Sequence, residues 1–86
     1  MMNGPMTYED LASLMKSRAG TPVAPEDLAD RPESAFGEFG LDSLGLLGVI
    51  SELENRYGCS IDGEPSAHKS PGALLALVND RITAGA

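Results

Sequence analysis

Ser43 is the side chain whose surroundings most favour a chemical role. It lies in the run Gly-Leu-Asp-Ser-Leu at positions 40–44, where a loop is predicted to pass into a helix. A helix N-terminus offers free backbone N–H groups and the positive end of the helix dipole, and both stabilise a phosphate ester. The position favours covalent attachment at Ser43, although an ordinary helix start with Asp42 or Ser43 as N-cap gives the same pattern.

A serine hydrolase is a second interpretation of the run, and the sequence argues against it. The stretch resembles a nucleophile elbow, but the first glycine of G-x-S-x-G is absent and no alternating strand precedes the serine. His68 is the only histidine in the chain. Because a serine without a positioned base is a weak nucleophile, we do not expect hydrolysis at Ser43.

The other reactive side chains have structural interpretations. Cys59 lies beside the apolar Ile61 without a basic neighbour, so we expect it to be a small packing residue. His68 lies in a polar connector and is expected on the solvated surface. Glu52 and Glu54 are two residues apart on a predicted helix and do not face each other, so they form no catalytic pair. We expect them to form a solvated face that partners contact.

Hydrophobic periodicity predicts an all-α fold, a small helical bundle of three main helices plus a short helix. The predicted helices span about 7–19, 43–57, 66–69 and 71–83. Prolines and glycines interrupt residues 20–41, so this stretch is predicted to be a long first loop with one helical turn near 34–39. Residues 1–86 are predicted to form a single domain.

Capping residues support these boundaries. Thr7, with Asp10 three residues later, is predicted to cap the first helix, and Gly58 is predicted to end the second main helix. Ser70 as N-cap and Pro71 at the first helical position are predicted to begin the last helix.

The second main helix carries the longest apolar stripe in the chain. The residues of this stripe are Leu46, Val49, Ile50, Leu53 and Tyr57. Leu44 lies outside the stripe and next to Ser43, and Leu47 lies at its margin. An apolar side chain that points away from the core is more useful to a partner than to folding.

Composition limits the partners. The 86 residues include one cysteine and carry a net charge of −7, and ten of the thirteen acidic residues lie between positions 25 and 64. One cysteine excludes an intramolecular disulfide and a thiolate metal site, so we expect a cytoplasmic protein. The negative charge argues against nucleic acid, and no apolar run is long enough for a membrane span. The middle of the chain is predicted to be an acidic face.

The sequence resembles the acyl carrier protein family. Residues 40–44 are similar to the phosphopantetheine attachment motif, residues 36–39 to the aromatic approach to it, residues 53–61 to the end of the following helix, and residues 70–79 to the last helix. The resemblance covers nearly the whole chain. Within the family, the sequence is most similar to the discrete carrier proteins of bacterial aromatic (type II) polyketide synthases.

This resemblance implies a non-catalytic carrier. Ser43 is expected to hold a 4′-phosphopantetheine arm, installed from coenzyme A by a magnesium-dependent phosphopantetheinyl transferase, with an acyl chain bound to the arm as a thioester. Asp42, Leu44, Leu47 and Glu52 are the expected partner contacts. The expected partners are a ketosynthase and chain-length factor, a malonyl-acyl transferase and tailoring enzymes, all docking transiently to a monomer in antibiotic biosynthesis.

Two positions depart from the family pattern. Many carriers have acidic residues two and five positions after the modified serine, where this chain has Gly45 and Gly48. Two other functions share the predicted fold: a peptidyl or aminoacyl carrier protein, and an unmodified helical interaction module in which Ser43 only begins a helix. The acidic loop and the stretch at 56–61 argue against the peptidyl carrier.

Overall fold

The computed structural model describes residues 5–61 and 65–84. Its four α-helices are α1 (Tyr8–Ala19), α2 (Pro25–Asp30), α3 (Ser43–Tyr57) and α4 (Pro71–Ala84). Two short 3₁₀ helices, Phe36–Phe39 and Pro65–His68, precede α3 and α4. The predicted all-α bundle is confirmed, together with the predicted turns near 34–39 and 66–69. The predicted domain over 1–86 also includes residues 1–4, 62–64 and 85–86, which lie outside the described ranges.

The main helices begin and end at the capping residues that the sequence indicates. Thr7 Oγ1 accepts a hydrogen bond from the Asp10 N–H at 3.2 Å, and Asp10 Oδ2 accepts one from the Thr7 N–H at 3.0 Å. This reciprocal pair is a capping box. Gly58 ends α3 with a φ of 63°, and Ser70 Oγ accepts from the Ala73 N–H at 3.2 Å at the start of α4.

Helix α2 corrects the sequence prediction. The loop predicted over 20–41 contains a helix of six residues, begun by Pro25 at a position where its missing N–H is not needed. Two acidic residues follow in the first turn and favour a helix N-terminus. Only Leu28 is buried, so the segment is too short and too polar to show a hydrophobic period.

The core forms where α1 packs against α3 and α4, while α2 packs against α1 and α4. The buried side chains with the largest volumes include Leu11, Leu14, Met15, Leu28, Ile50, Leu53, Ile61 and Leu74. Of the predicted stripe on α3, four residues are buried and Tyr57 is half-buried. Within residues 5–61 and 65–84, no helix has both the length and the apolarity to cross a bilayer.

The end of α1 lies close to α3 at Gly45. A Cβ atom on Gly45 would lie 2.9 Å from Ala19 Cβ and 2.9 Å from Leu41 Cδ1, closer than real Cβ contacts allow. A Cβ on Gly48 would meet only the Arg18 carbonyl oxygen at 3.7 Å, an ordinary contact. The two helical glycines therefore differ: Gly45 is required by packing, whereas Gly48 is not.

The loop after α2 is fixed to the start of α4. The Gly72 N–H donates a hydrogen bond to the Pro32 carbonyl oxygen at 2.8 Å. A Cβ on Gly72 would lie 2.8 Å from the same oxygen, so the approach requires glycine. This contact holds the loop that leads toward α3.

The first described residues are held by α4. The Met6 N–H donates to Asn79 Oδ1 at 2.6 Å, and Asn79 Nδ2 donates to the Met6 carbonyl oxygen at 3.1 Å. The side-chain amide thus satisfies both backbone groups of Met6, whose own side chain is buried.

The two glycines of α3 give a matched test of this packing. Gly45→Ala gains about 1 kcal/mol of helix propensity, but it must displace Ala19 or Leu41, and overpacking costs about 1–3 kcal/mol. We expect Gly45→Ala to lower the free energy of unfolding and Gly48→Ala to raise it by up to about 1 kcal/mol, as measured by urea denaturation. Equal stabilisation by both substitutions would contradict the close approach.

Candidate functional site

A buried aromatic turn positions the loop before Ser43. Phe36 is buried at the start of the Phe36–Phe39 turn, and the Leu41 N–H donates to the Phe36 carbonyl oxygen at 3.2 Å. Gly40 takes a φ of 88°, a conformation that L side chains rarely adopt, and it turns the chain so that Leu41 is also buried. These two anchors set where α3 begins.

Electrostatic contact with an arginine supports the same turn. The Arg31 guanidinium lies 4.7 Å from the centroid of the Phe39 ring, a cation–π contact. Glu38 Oε2 accepts a hydrogen bond from the Ala35 N–H at 3.2 Å. The turn is therefore held from the end of α2 as well as from the core.

Asp42 is the N-cap of α3. The sequence allowed either Asp42 or Ser43 in this role. Its Oδ1 accepts a hydrogen bond from the Gly45 N–H at 2.7 Å, and its carbonyl oxygen accepts from the Leu46 N–H at 2.9 Å. Asp42 itself is extended, with φ −87° and ψ 175°. Ser43 is consequently the first helical residue, and it is exposed.

The Ser43 position fits a covalently attached phosphate. At the first turn of a helix, the N–H groups of Ser43 and Leu44 have no intrahelical acceptor and lie at the positive end of the dipole. A cleft of about 340 Å³ opens beside Ser43. The cleft is lined by Ala35, Phe36, Gly37, Leu41, Asp42, Ser43, Leu46 and His68.

His68 was predicted to be solvated surface, and the structure adds a contact that the sequence did not indicate. Its side chain is exposed, as predicted, and it also lines the cleft beside Ser43. Among residues 5–61 and 65–84 no hydrogen bond joins the imidazole to the Ser43 hydroxyl.

The four predicted partner contacts lie in different environments. Leu44 is 78% exposed and Leu47 44% exposed, so both leucines lie on the surface of α3, and Asp42 is exposed beside them. The Glu52 side chain is only 17% exposed. The structure thus places three of these residues on the surface next to Ser43 and draws the fourth into contacts within the chain.

Glu52 joins α1 to α3 by salt bridges. Its Oε1 lies 2.7 Å from Arg18 Nη2, and its Oε2 lies 2.8 Å from Arg56 Nε. The hydrogen bond from Arg56 and the positive charge of Arg18 hold the pKa of Glu52 below its usual value, against the opposing effect of desolvation. Sequence spacing indicates the Glu52–Arg56 pair. Arg18 lies on α1 and contacts Glu52 through tertiary packing, so the local sequence around Glu52 does not predict this salt bridge.

Glu54 also departs from the predicted solvated face. Its Oε2 accepts a hydrogen bond from the Ile61 N–H at 2.9 Å, so this carboxylate holds the connector that follows α3. Cys59 is half-buried against the core, which confirms the packing role. Burial raises the pKa of the Cys59 thiol, and the negative charge of Glu54 adds to that rise.

Comparison with known proteins agrees with this geometry. The family described as "Phosphopantetheine attachment site" matches residues 9–78. The chain is similar to the curamycin polyketide synthase acyl carrier protein of Streptomyces cyaneus, with 49% identity over 94% of this chain and 92% of that protein. It is also similar to a probable acyl carrier protein of Streptomyces coelicolor, with 45% identity over 93% and 89% of the two chains.

A third carrier protein is similar to the chain at lower identity. The actinorhodin polyketide synthase acyl carrier protein of Streptomyces coelicolor is 30% identical over 94% of this chain and 95% of that protein. No solved structure matches the chain.

The cap at Asp42 predicts a difference between two substitutions. Asp42→Ala removes the acceptor for the Gly45 N–H and should lower the free energy of unfolding by about 1 kcal/mol. Asp42→Ser keeps an acceptor and should lose only a few tenths of a kcal/mol. Urea denaturation of both variants measures the difference. An equal loss from both would show that the carboxylate charge, not the cap, stabilises α3.

The raised pKa of Cys59 predicts slow alkylation. Less of the thiol is ionised near pH 8 than in a free cysteine, and the thiolate is the form that reacts. Iodoacetamide should therefore modify the folded protein more slowly than the protein in denaturant, as followed by intact mass over time. A faster reaction in the folded state would contradict the assignment of Cys59 as a packing residue.

Proposed function

The chain belongs to the phosphopantetheine attachment site family, and on that premise we propose that Ser43 is the residue that carries the arm. The carrier is not itself a catalyst. The observation that carries the proposal is the exposure of Ser43 as the first residue of α3, beside a cleft and next to the N-cap Asp42.

The residues of the chain hold and orient the attachment point. Asp42 fixes the first turn of α3, so the free N–H groups of Ser43 and Leu44 would be available to a phosphodiester on the Ser43 oxygen. In the transfer from coenzyme A, a bond would form between Ser43 Oγ and phosphorus and the P–O bond between the two phosphates would break. The nucleotide half would leave, and the hydroxyl proton would pass to a base of the transferase or to solvent. When attached, the arm supplies a thiol that binds an acyl group as a thioester.

The cargo that we propose is a growing polyketide or related acyl chain. Support comes from the similar Streptomyces proteins, two of which are polyketide synthase acyl carrier proteins that align with this chain over most of both lengths. A peptidyl carrier shares the fold and the serine, but the acidic loop and the stretch at 56–61 argue against it. Antibiotic biosynthesis is the proposed setting.

Carriers of polyketide synthases interact with synthase enzymes. We propose which individual enzymes are the partners of this chain. They comprise a ketosynthase with its chain-length factor, a malonyl-acyl transferase, tailoring enzymes and the phosphopantetheinyl transferase. Each partner must release the carrier after one step, so we expect small, short-lived interfaces. Tethering raises the effective concentration of the acyl group in each active site.

We also propose that residues 1–86 form one domain that acts as a cytoplasmic monomer. The family match covers residues 9–78, and one core joins the described helices. The lone half-buried Cys59 is suited to a reducing compartment.

Intact mass spectrometry tests the attachment site. After incubation with coenzyme A, magnesium and a promiscuous phosphopantetheinyl transferase, the wild-type chain should gain one phosphopantetheine. Ser43→Ala should gain none because the acceptor oxygen is absent, whereas Ser17→Ala, a control at an exposed serine of α1, should gain one. An unmodified wild-type chain would instead favour the helical interaction module.

A further inference from the structure

We propose that His68 binds the phosphodiester of the arm on Ser43 and holds it in the cleft while the imidazole is protonated. This inference rests on the proposed carrier function and adds a residue that binds the attached arm. The attachment cleft is defined here as the opening of about 340 Å³ beside Ser43. Ser43 lines this cleft from the start of α3, and His68 lines it from the Pro65–His68 turn before α4.

Two side chains of the attachment cleft can ionise. They are the carboxyl of Asp42 and the imidazole of His68, and the other lining residues are Ala35, Phe36, Gly37, Leu41, Ser43 and Leu46. A phosphodiester on the Ser43 oxygen adds a second negative charge to a cleft that already holds a carboxylate. Among the lining residues that the structure describes, His68 is the one that can supply a positive charge to it.

The phosphodiester is the part of the arm that stays closest to the chain. Its phosphorus is bonded directly to the Ser43 oxygen, whereas the rest of the arm can rotate about many single bonds. An imidazolium donates N–H hydrogen bonds, and such bonds to an anion are shorter and stronger than bonds between neutral groups. We therefore expect His68 to bind the phosphate in preference to the amide groups farther along the arm.

The backbone that carries His68 is held on both sides. Ala67 before it is buried, and so is Ser70 after it. Ser70 Oγ accepts a hydrogen bond from the Ala73 N–H at 3.2 Å, and the Ser70 carbonyl oxygen accepts one from the Leu74 N–H at 2.9 Å. Because the backbone is already ordered, binding the phosphate costs only the rotamer freedom of one side chain.

The imidazole has no competing partner among the described residues. It makes no hydrogen bond or ion pair with another residue in the ranges 5–61 and 65–84, and the side chain is exposed. It can therefore turn toward the phosphate without breaking a contact within those ranges.

Other charged groups around the imidazole line different openings. Glu38, in the turn before α3, lines a separate cavity, and Lys69 and Glu33 line a third one. The first charged residue of α4 is Asp80, more than two helical turns beyond the start of that helix. Within the described ranges, Asp42 is thus the one other ionisable group that lines the attachment cleft.

Attachment of the arm and protonation of His68 should favour each other. The negative charge of the phosphodiester favours the charged form of the imidazole, and by reciprocity the imidazolium favours the arm in the cleft. The two groups are exposed to solvent, so the interaction is weak and is screened by salt. A weak contact restrains the arm between partners without preventing its entry into an active site.

The single histidine allows the proposal to be tested on one resonance. His68 is the only histidine in the chain, so in the untagged protein the imidazole proton signals need no assignment. The pH titration of these signals is compared between the unmodified chain and the chain that carries the arm. Attachment should move the titration midpoint to higher pH by about half a unit at low salt, and by less at high salt.

The phosphorus resonance of the arm gives the reciprocal measurement. A phosphodiester does not titrate near neutral pH, so its signal follows pH there only if a neighbouring group titrates. In the wild-type carrier, the phosphorus shift should follow the same midpoint as the imidazole. In His68→Gln it should not change with pH, whereas Lys69→Gln, at the next exposed residue, should behave as the wild type.

Equal imidazole midpoints with and without the arm would overturn the proposal, as would a phosphorus signal that still follows pH in His68→Gln. A midpoint that moves to lower pH would also contradict it, because the imidazole would then lie against an uncharged part of the arm. Failure of the carrier function is a different result: the wild-type chain gains no mass from coenzyme A and shows no phosphorus signal. That result would overturn both proposals.

Discussion

The hydrogen bond from the Gly45 N–H to Asp42 Oδ1 fixes the residue at which α3 begins, and the place of Ser43 in the first helical turn depends on that beginning. If the helix started one residue later, Ser43 would be a loop residue and its hydroxyl would leave the first turn. The loop that precedes this bond is anchored by Phe36 and Leu41, whose side chains are both buried in the core.

Gly45 links this cap to the packing of the bundle. Its N–H satisfies Asp42, and its missing side chain lets Ala19 approach α3. The same approach brings Arg18 to Glu52 at 2.7 Å. One small residue thus connects the N-cap beside Ser43, the contact between α1 and α3, and the salt bridge from Arg18 to Glu52. The space between α1 and α3 requires glycine at this position.

The sequence predicts the parts of the structure that depend on local chemistry. The boundaries of α1, α3 and α4 follow from Thr7, Gly58 and Ser70, and the exposure of Leu44 follows from helical spacing. Helix α2 is not predicted from the sequence, because its one buried residue, Leu28, cannot show a helical repeat of apolar residues. The contacts of Arg18 with Glu52, of Glu54 with the Ile61 N–H, and of His68 with the cleft join residues distant in the chain, so no local pattern encodes them.

The amide pairing between Met6 and Asn79 couples the start of the described chain to its last helix. Asn79 lies inside α4, before that helix ends at Ala84, so fraying of α4 that reaches Asn79 would also release both backbone groups of Met6. The first and last segments of the bundle are therefore expected to open together, as one cooperative unit.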